Sequence, residues 1–169
     1  MDRIISAVVT ASTLIFGVFL FTKEAVAQIP KELVGTWSLV SITFAQDDKK
    51  TDFYGPNPRG QLTYDADGHF SEILTRSDLP KFASNNRMAG TAEENKSIVE
   101  GSLAQFGTYS VSEADKIITR HIESCTFPNW NGMDRKSSFS ISGDELSITG
   151  LSGTSTGTET PHLVCKRVK

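Results

Sequence analysis

Short runs of alternating apolar and polar residues dominate the chain after residue 34. The first run, residues 35–44, places Trp37 and Leu39 on one face and Val40 and Ile42 on the other. Alternation with a period of two predicts β-strands with one face buried. The further predicted strands cover residues 61–64, 69–75, 107–112, 116–124, 135–142, 145–149 and 161–168.

The order of these eight strands predicts the fold class. They follow one another with short connections, and the turn sequence at 65–68 joins two of them as a hairpin. A meander of this kind closes into a barrel, because closure removes the exposed sheet edges. We therefore predict an all-β, eight-stranded antiparallel up-and-down barrel, whose interior is filled by side chains or holds one small ligand.

One helical segment interrupts the series of strands. Thr91 suits the N-cap of a helix, and Glu94 lies three residues later, as in a capping box. An apolar stripe at helical spacing follows, formed by Ile98, Val99, Leu103 and Ala104. We expect one inserted helix that packs this stripe on the barrel.

The N-terminus has the three parts of a secretory signal peptide. A short charged start is followed by the apolar run 4–21 and by the small-residue triplet 25–27. Cleavage before Gln28 leaves residues 28–169 as one domain, in the periplasm or the medium. A retained anchor is the alternative, because the apolar run approaches the roughly 20 residues that span a membrane.

Charge and cysteine content narrow the set of partners. The formal net charge is −3, which favours neither nucleic acid nor an anionic membrane surface as a partner.

Export permits a disulfide between Cys125 and Cys165, but the two lie on strands that are not neighbours in the predicted barrel, so we expect free thiols. We expect no metal and no cofactor, because there is no CxxC motif and the three histidines lie far apart. We also expect a monomer without stable membrane insertion.

Four short segments carry a resemblance to a known family. They are LVGTW at 33–37, YGPNPRG at 54–60, FGTY at 106–109 and FPNWNG at 127–132. Together they resemble the signature segments of the bacterial and fungal lipocalin-like domain family, over residues 33–168. The resemblance implies a barrel with an interior cavity and, for most members, no established ligand or reaction. Some lipocalin-like barrels are similar to enzymes that isomerise or cyclise apolar substrates.

His121 and Glu123 form the most suggestive pair of polar residues. They lie two positions apart on one predicted strand and therefore on the same face. An imidazole beside a carboxylate inside the barrel could relay a proton. On the outer face, the two side chains would be a solvent-exposed surface pair without a catalytic role. We expect them to face inward, because Cys125 has the same parity and leads to the apolar Phe127.

Five further residues complete the predicted ligand-binding set. Asn129 and Trp130 lie in a loop at the barrel rim, where they contact a ligand or close the barrel end. Tyr64, Arg76 and Tyr109 present polar tips, and an arginine can hold a carboxylate bidentately or stack on a core tryptophan. We also expect Gly107 to leave space for a ligand beside Tyr109.

Three hypotheses on function follow. The first is an exported barrel that binds a small apolar or amphipathic molecule. The second is an isomerase or cyclase that uses His121 with Glu123, or a tyrosine, in the lumen. The third is a filled barrel without a ligand. No nucleotide-binding loop or Ser-His-Asp order favours another enzyme class.

The predicted cleavage is tested by the intact mass of the exported protein. We expect the periplasmic or culture-medium form to begin at Gln28. A full-length species held in the membrane fraction would contradict the signal peptide and support the anchor.

Overall fold

The computed structural model of the protein describes residues 29–46, 49–151 and 160–169. The predicted signal peptide lies outside these residues. Within them, no helix is both long and apolar enough to cross a membrane.

The described residues form one antiparallel sheet in which eight strands close into a barrel. Neighbours in the sheet follow the order of the chain, and β9 pairs back to β1, from Trp37 opposite Arg167 to Ala45 opposite Thr160. The predicted up-and-down barrel is therefore confirmed. The strands are β1 (Gly35–Gln46), β2 (Lys49–Thr51), β3 (Arg59–Tyr64), β4 (His69–Thr75), β5 (Ser102–Ser112), β6 (Ile117–Cys125), β7 (Asp134–Ser142), β8 (Glu145–Gly150) and β9 (Thr160–Arg167). The short β2 pairs only with the end of β1 and lies outside the ring.

The helix begins as predicted but ends earlier. Helix α1 (Ala92–Gly101) has Thr91 as its N-cap, and the capping box with Glu94 is present. Leu103 and Ala104 belong instead to β5, where they pair with Leu74 and Ile73 of β4, so the predicted four-residue stripe is wrong. Sheet hydrogen bonding there replaces the helical pattern, and Val99 is left 76% exposed.

The lower end of the barrel, where β1 starts and β9 ends, is closed by side chains. Leu33 and Trp37 are fully buried, and the Trp37 Nε1 group donates a hydrogen bond to the Leu33 carbonyl oxygen. The Arg167 guanidinium lies 4.1 Å from the centre of the Trp37 ring and donates to the carbonyl oxygens of Val34 and Glu32. Any opening to the lumen is therefore at the upper end, which carries β2, α1 and the 3-10 turn Pro128–Trp130.

Two β-bulges change which residues face the lumen. On β1, Leu39 pairs with Cys165 and Ser41 with Val164, so Val40 is the extra residue. Ile42 therefore faces inward together with Leu39, and not on the opposite face as the alternation predicted. An extra residue in one strand moves every later side chain to the opposite face.

The second bulge is at Glu123 on β6. Gly107 pairs with Ile122 and Phe106 with Ser124, which leaves Glu123 without an opposite residue. A side chain at Gly107 would meet the backbone of β6, because its Cβ would lie 2.0 Å from the His121 carbonyl oxygen. The space beside Gly107 is thus occupied by the bulged strand and not by the expected ligand.

We predict that Gly107→Ala destabilises the barrel. The added methyl group would collide with backbone, which cannot rotate away as a side chain can, and overpacking of this kind costs about 1–3 kcal/mol. The free energy of unfolding in urea measures the loss. Ser110→Ala, on the exposed face of the same strand, is the control with little expected change. Equal stability of the two variants would contradict the close approach.

Candidate functional site

A cluster of polar side chains lies inside the barrel. Glu72, Gln105, Arg120, Arg135 and Ser137 are all less than 10% exposed. Arg120 is at the centre: its Nη1 group donates to a Glu72 carboxylate oxygen at 2.5 Å, and its Nη2 group donates to the Ser137 hydroxyl at 3.2 Å. Strands β4, β6 and β7 therefore contribute one partner each to a buried network.

The charge of Arg120 is stabilised by its neighbours. Burial is the largest influence and lowers the pKa of the guanidinium, but Tyr64 and Glu72 together outweigh burial, so the pKa of Arg120 is raised. The Tyr64 hydroxyl has its own pKa raised, mainly by burial. Burial and then the nearby Arg120 lower the pKa of Arg135. The lumen thus holds a tightly paired arginine and a second arginine close to it.

Some polar atoms in this network lack hydrogen-bond partners. Among the described residues, the buried side-chain atoms without a partner are Tyr64 Oη, Gln105 Oε1 and Arg120 Nε. Tyr64 lies close enough to influence the pKa of Arg120, but no hydrogen bond of good geometry joins the two side chains. An unpartnered buried polar atom costs about 1–3 kcal/mol, so these atoms lower the stability of the barrel as long as they lack a partner.

A small cavity of about 50 Å³ lies between this network and the upper end. Apolar side chains surround its mouth, and the polar network forms its floor. The lining consists of Ile42, Phe44, Glu72, Leu74, Leu103, Gln105, Arg120, Trp130, Arg135, Pro161 and Leu163. Depressions of about 320, 510 and 470 Å³ are larger but more open to solvent. The cavity in the lumen is the better candidate, because two buried polar atoms without partners belong to residues that line it.

Trp130 and Arg135 form one side of the mouth. The Arg135 guanidinium lies 3.6 Å from the centre of the Trp130 ring, which is a close cation–π contact. Phe127 also contacts the tryptophan, with ring centres 5.6 Å apart in an edge-on arrangement. The loop that the sequence placed at the barrel rim therefore reaches the cavity through Trp130, while Asn129 in the same turn is exposed.

Among the other predicted ligand-binding residues, Tyr64 and Tyr109 face the lumen, but neither lines the cavity. Their rings meet edge-on, with centres 5.0 Å apart, and the Tyr109 hydroxyl donates to the Asp65 carbonyl oxygen in the turn at the lower end. Arg76 lies outside the lumen and forms a bidentate pair with Asp78, at 2.9 and 2.8 Å.

His121 and Glu123 lie on the outer face of the barrel, and the expectation that they face inward is wrong. The His121 side chain is 51% exposed, and its Nδ1 atom lies 2.8 Å from an Asp134 carboxylate oxygen on β7. The expectation depended on the parity of Cys125, but the bulge at Glu123 separates them. Cys125 faces inward together with Ile122, on the face of the strand opposite to His121.

The sequence analysis missed the four polar residues of the cavity floor and wall. The sequence does contain a signal for two of them. Glu72 lies between Phe70 and Leu74 on the same face of its strand, and Arg120 lies between Ile118 and Ile122 in the same way. A charged residue at an apolar position of an alternating strand predicts a buried charge that needs a partner. The remaining two are Gln105 and Arg135.

Neither cysteine has the properties of a nucleophile. Cys125 and Cys165 are buried free thiols. Burial, with a smaller effect of Glu72, raises the pKa of Cys165 to about 12, and burial also raises the pKa of Cys125. A thiol with a raised pKa stays protonated at neutral pH and reacts slowly. In the part of the chain that the structure describes, no group of three or more His, Cys, Asp or Glu side chains could hold a metal ion.

Comparisons with known proteins place residues 34–168 in a family. This segment matches the model of the lipocalin-like domain. No curated protein matches the chain significantly. Among solved structures, an uncharacterized protein from Bacteroides eggerthii DSM 20697 is similar over 80% of this chain and 99% of its own, with 13% identity and a TM-score of 0.39. A likeness this distant carries no information on function.

We predict that removing only one member of the Glu72–Arg120 pair lowers the free energy of unfolding strongly. Arg120→Met leaves a buried carboxylate without its partner, and such a change costs about 3–5 kcal/mol of unfolding free energy. The double variant Glu72→Leu with Arg120→Met should recover most of this loss, since both charges are then absent. Urea unfolding of the two single variants and the double variant measures the coupling. Arg76→Met, which breaks an exposed pair, is the control with little expected effect; additive losses at Glu72 and Arg120 would contradict a direct buried pair.

Proposed function

Because the chain belongs to the lipocalin-like domain family, we propose that its barrel binds one small amphipathic molecule at the upper end of the lumen. The observation that carries the proposal is the cavity in the lumen, which has apolar side chains at its mouth and the polar side chains of Glu72, Gln105 and Arg120 at its floor. Small-molecule sites have this composition: mostly apolar walls and a few polar groups that orient the ligand.

The size of the cavity determines how such a molecule would lie. An apolar cavity of about 150 Å³ is known to hold a benzene molecule, and the cavity here is about 50 Å³. It has room for a head group of a few atoms, and the apolar body would lie along the mouth, against Phe44, Trp130 and Pro161. A slender chain fits this arrangement better than a wide ring system.

Binding is favoured over catalysis by where the candidate acid–base pair lies. His121 and Glu123 are on the outer face, so they do not support proton transfer in the lumen. A completely filled barrel is disfavoured by the unpartnered polar atoms, since a barrel without a ligand gains nothing from retaining them.

We also propose that the protein acts outside the cytoplasm. The N-terminal pattern supports export and removal of residues 1–27, which would put the barrel in the periplasm or the medium. A binding barrel in such a compartment would meet small molecules that arrive from outside the cell.

Isothermal titration with an eight-carbon amphiphile tests the proposed function. We expect octan-1-ol, octanoate or both to bind the purified protein with one-to-one stoichiometry. Leu103→Trp fills the mouth and should abolish binding. Val40→Trp adds the same side chain on the outer face of β1 and should leave binding intact.

Thermal unfolding of both tryptophan variants checks that they remain folded. Binding that survives Leu103→Trp in a folded protein would place the site elsewhere. Absence of binding for both amphiphiles in the unmodified protein would reject the proposal.

A further inference from the structure

A second concave surface lies at the lower end of the barrel, away from the lumen cavity. It is the depression of about 510 Å³, and its apolar walls are Pro30, Phe139 and Ile141. The segment before β1, the turn between β5 and β6, the end of β7 and the end of β9 all contribute lining residues. Small-molecule sites have volumes of about 300–1,000 Å³ and mostly apolar walls, so this depression has the size and the composition of such a site.

The charged residues that line the depression carry a net positive charge. Lys116 and Arg167 are the cations, and Glu32 is the one carboxylate of the lining. Among the described residues, neither cation forms an ion pair with a carboxylate. The Arg167 guanidinium donates to two backbone carbonyl oxygens instead, and Asp144, the acidic residue nearby, is paired with Lys169 at 2.7 Å. The lining therefore attracts an anion from solution.

Lys116 is held beside the apolar walls by an uncommon backbone conformation. Its φ angle is 55°, in the left-handed region that glycine and asparagine adopt more readily than lysine. Its carbonyl oxygen accepts a hydrogen bond from the Phe139 N–H group at 2.9 Å, and its ammonium group lies 5.9 Å from the centre of the Phe139 ring. A turn built only for stability would carry glycine or asparagine here, so a lysine at this position favours a role for its charge.

We propose that the lower end of the barrel is a second ligand site, which binds a small aromatic carboxylate. The ring system would lie against Pro30, Phe139 and Ile141, and the carboxylate would face the Lys116 ammonium group. A benzene molecule is held by a cavity of about 150 Å³, so a depression of about 510 Å³ has room for two fused rings. Glu32 opposes an anion, but its side chain is exposed and water screens its charge. This site lies outside the lumen and does not depend on the function proposed for the upper end.

Two naphthalene probes of similar shape test the site and its preference for charge. By isothermal titration at pH 7.5 and low ionic strength, we expect naphthalene-2-carboxylate to bind the purified protein one-to-one. Its affinity should exceed that of naphthalene-2-carboxamide about threefold, as for one partly exposed ion pair. Leu103→Trp, which fills the upper mouth, should leave both affinities unchanged. Absence of binding, equal affinities of the two probes, or loss of binding in folded Leu103→Trp would each overturn the proposal.

Three charge variants test which residues the carboxylate faces. Lys116→Asn removes the ammonium group but suits the left-handed backbone, so the affinity for naphthalene-2-carboxylate should fall about threefold while the urea midpoint of unfolding stays the same or rises. Glu32→Gln removes the opposing charge and should raise this affinity about twofold. Lys136→Asn, which removes an exposed cation of β7 outside the lining, is the control with unchanged binding. Unchanged affinity in Lys116→Asn, or an equal loss in Lys136→Asn, would overturn the proposed contact.

Discussion

Hydrogen bonds between β1 and β9 close the sheet, and this closure limits everything that the interior can hold. Once the ring of eight strands is complete, every second side chain must enter a space that is narrow enough for side chains to fill. Trp37, Leu33 and Arg167 occupy the lower end. The cavity at the upper end borders the central polar side chains, of which Arg120 is hydrogen-bonded to Glu72 and Ser137.

The two bulges decide which chemistry this closed space contains. Without the extra residue at Val40, Ile42 and Phe44 would face solvent, and the apolar mouth of the cavity would be lost. The bulge at Glu123 brings Cys125 inward, and it is accommodated by the missing side chain of Gly107. Each bulge thus changes the composition of the lumen through a backbone irregularity and not through a change of residue type.

The buried Glu72–Arg120 pair is the feature of the lumen on which the proposed ligand site depends. Two charges removed from water are stabilised only when their geometry is good and their remaining hydrogen-bonding atoms are satisfied. Here Ser137 satisfies one atom, while Arg120 Nε, Gln105 Oε1 and Tyr64 Oη are buried without a hydrogen-bond partner. A barrel built only for stability could use apolar residues at these positions, so the retained polar atoms are the main reason for proposing a ligand.

The sequence by itself determined the elements that depend on neighbouring residues: the alternating strands, the turn at 65–68 and the capping box of Thr91 and Glu94. It also predicted closure, because a meander of eight strands has few other ways to remove its edges. Leu103 and Ala104 fitted a helical spacing equally well, and only their pairing with β4 placed them in a strand. The inward or outward direction of His121 and the meeting of Glu72 with Arg120, 48 residues apart, were decided by the tertiary structure alone. A bulge forms where two strands meet, and a buried pair forms across strands, so neither leaves a signal in the local spacing of residues.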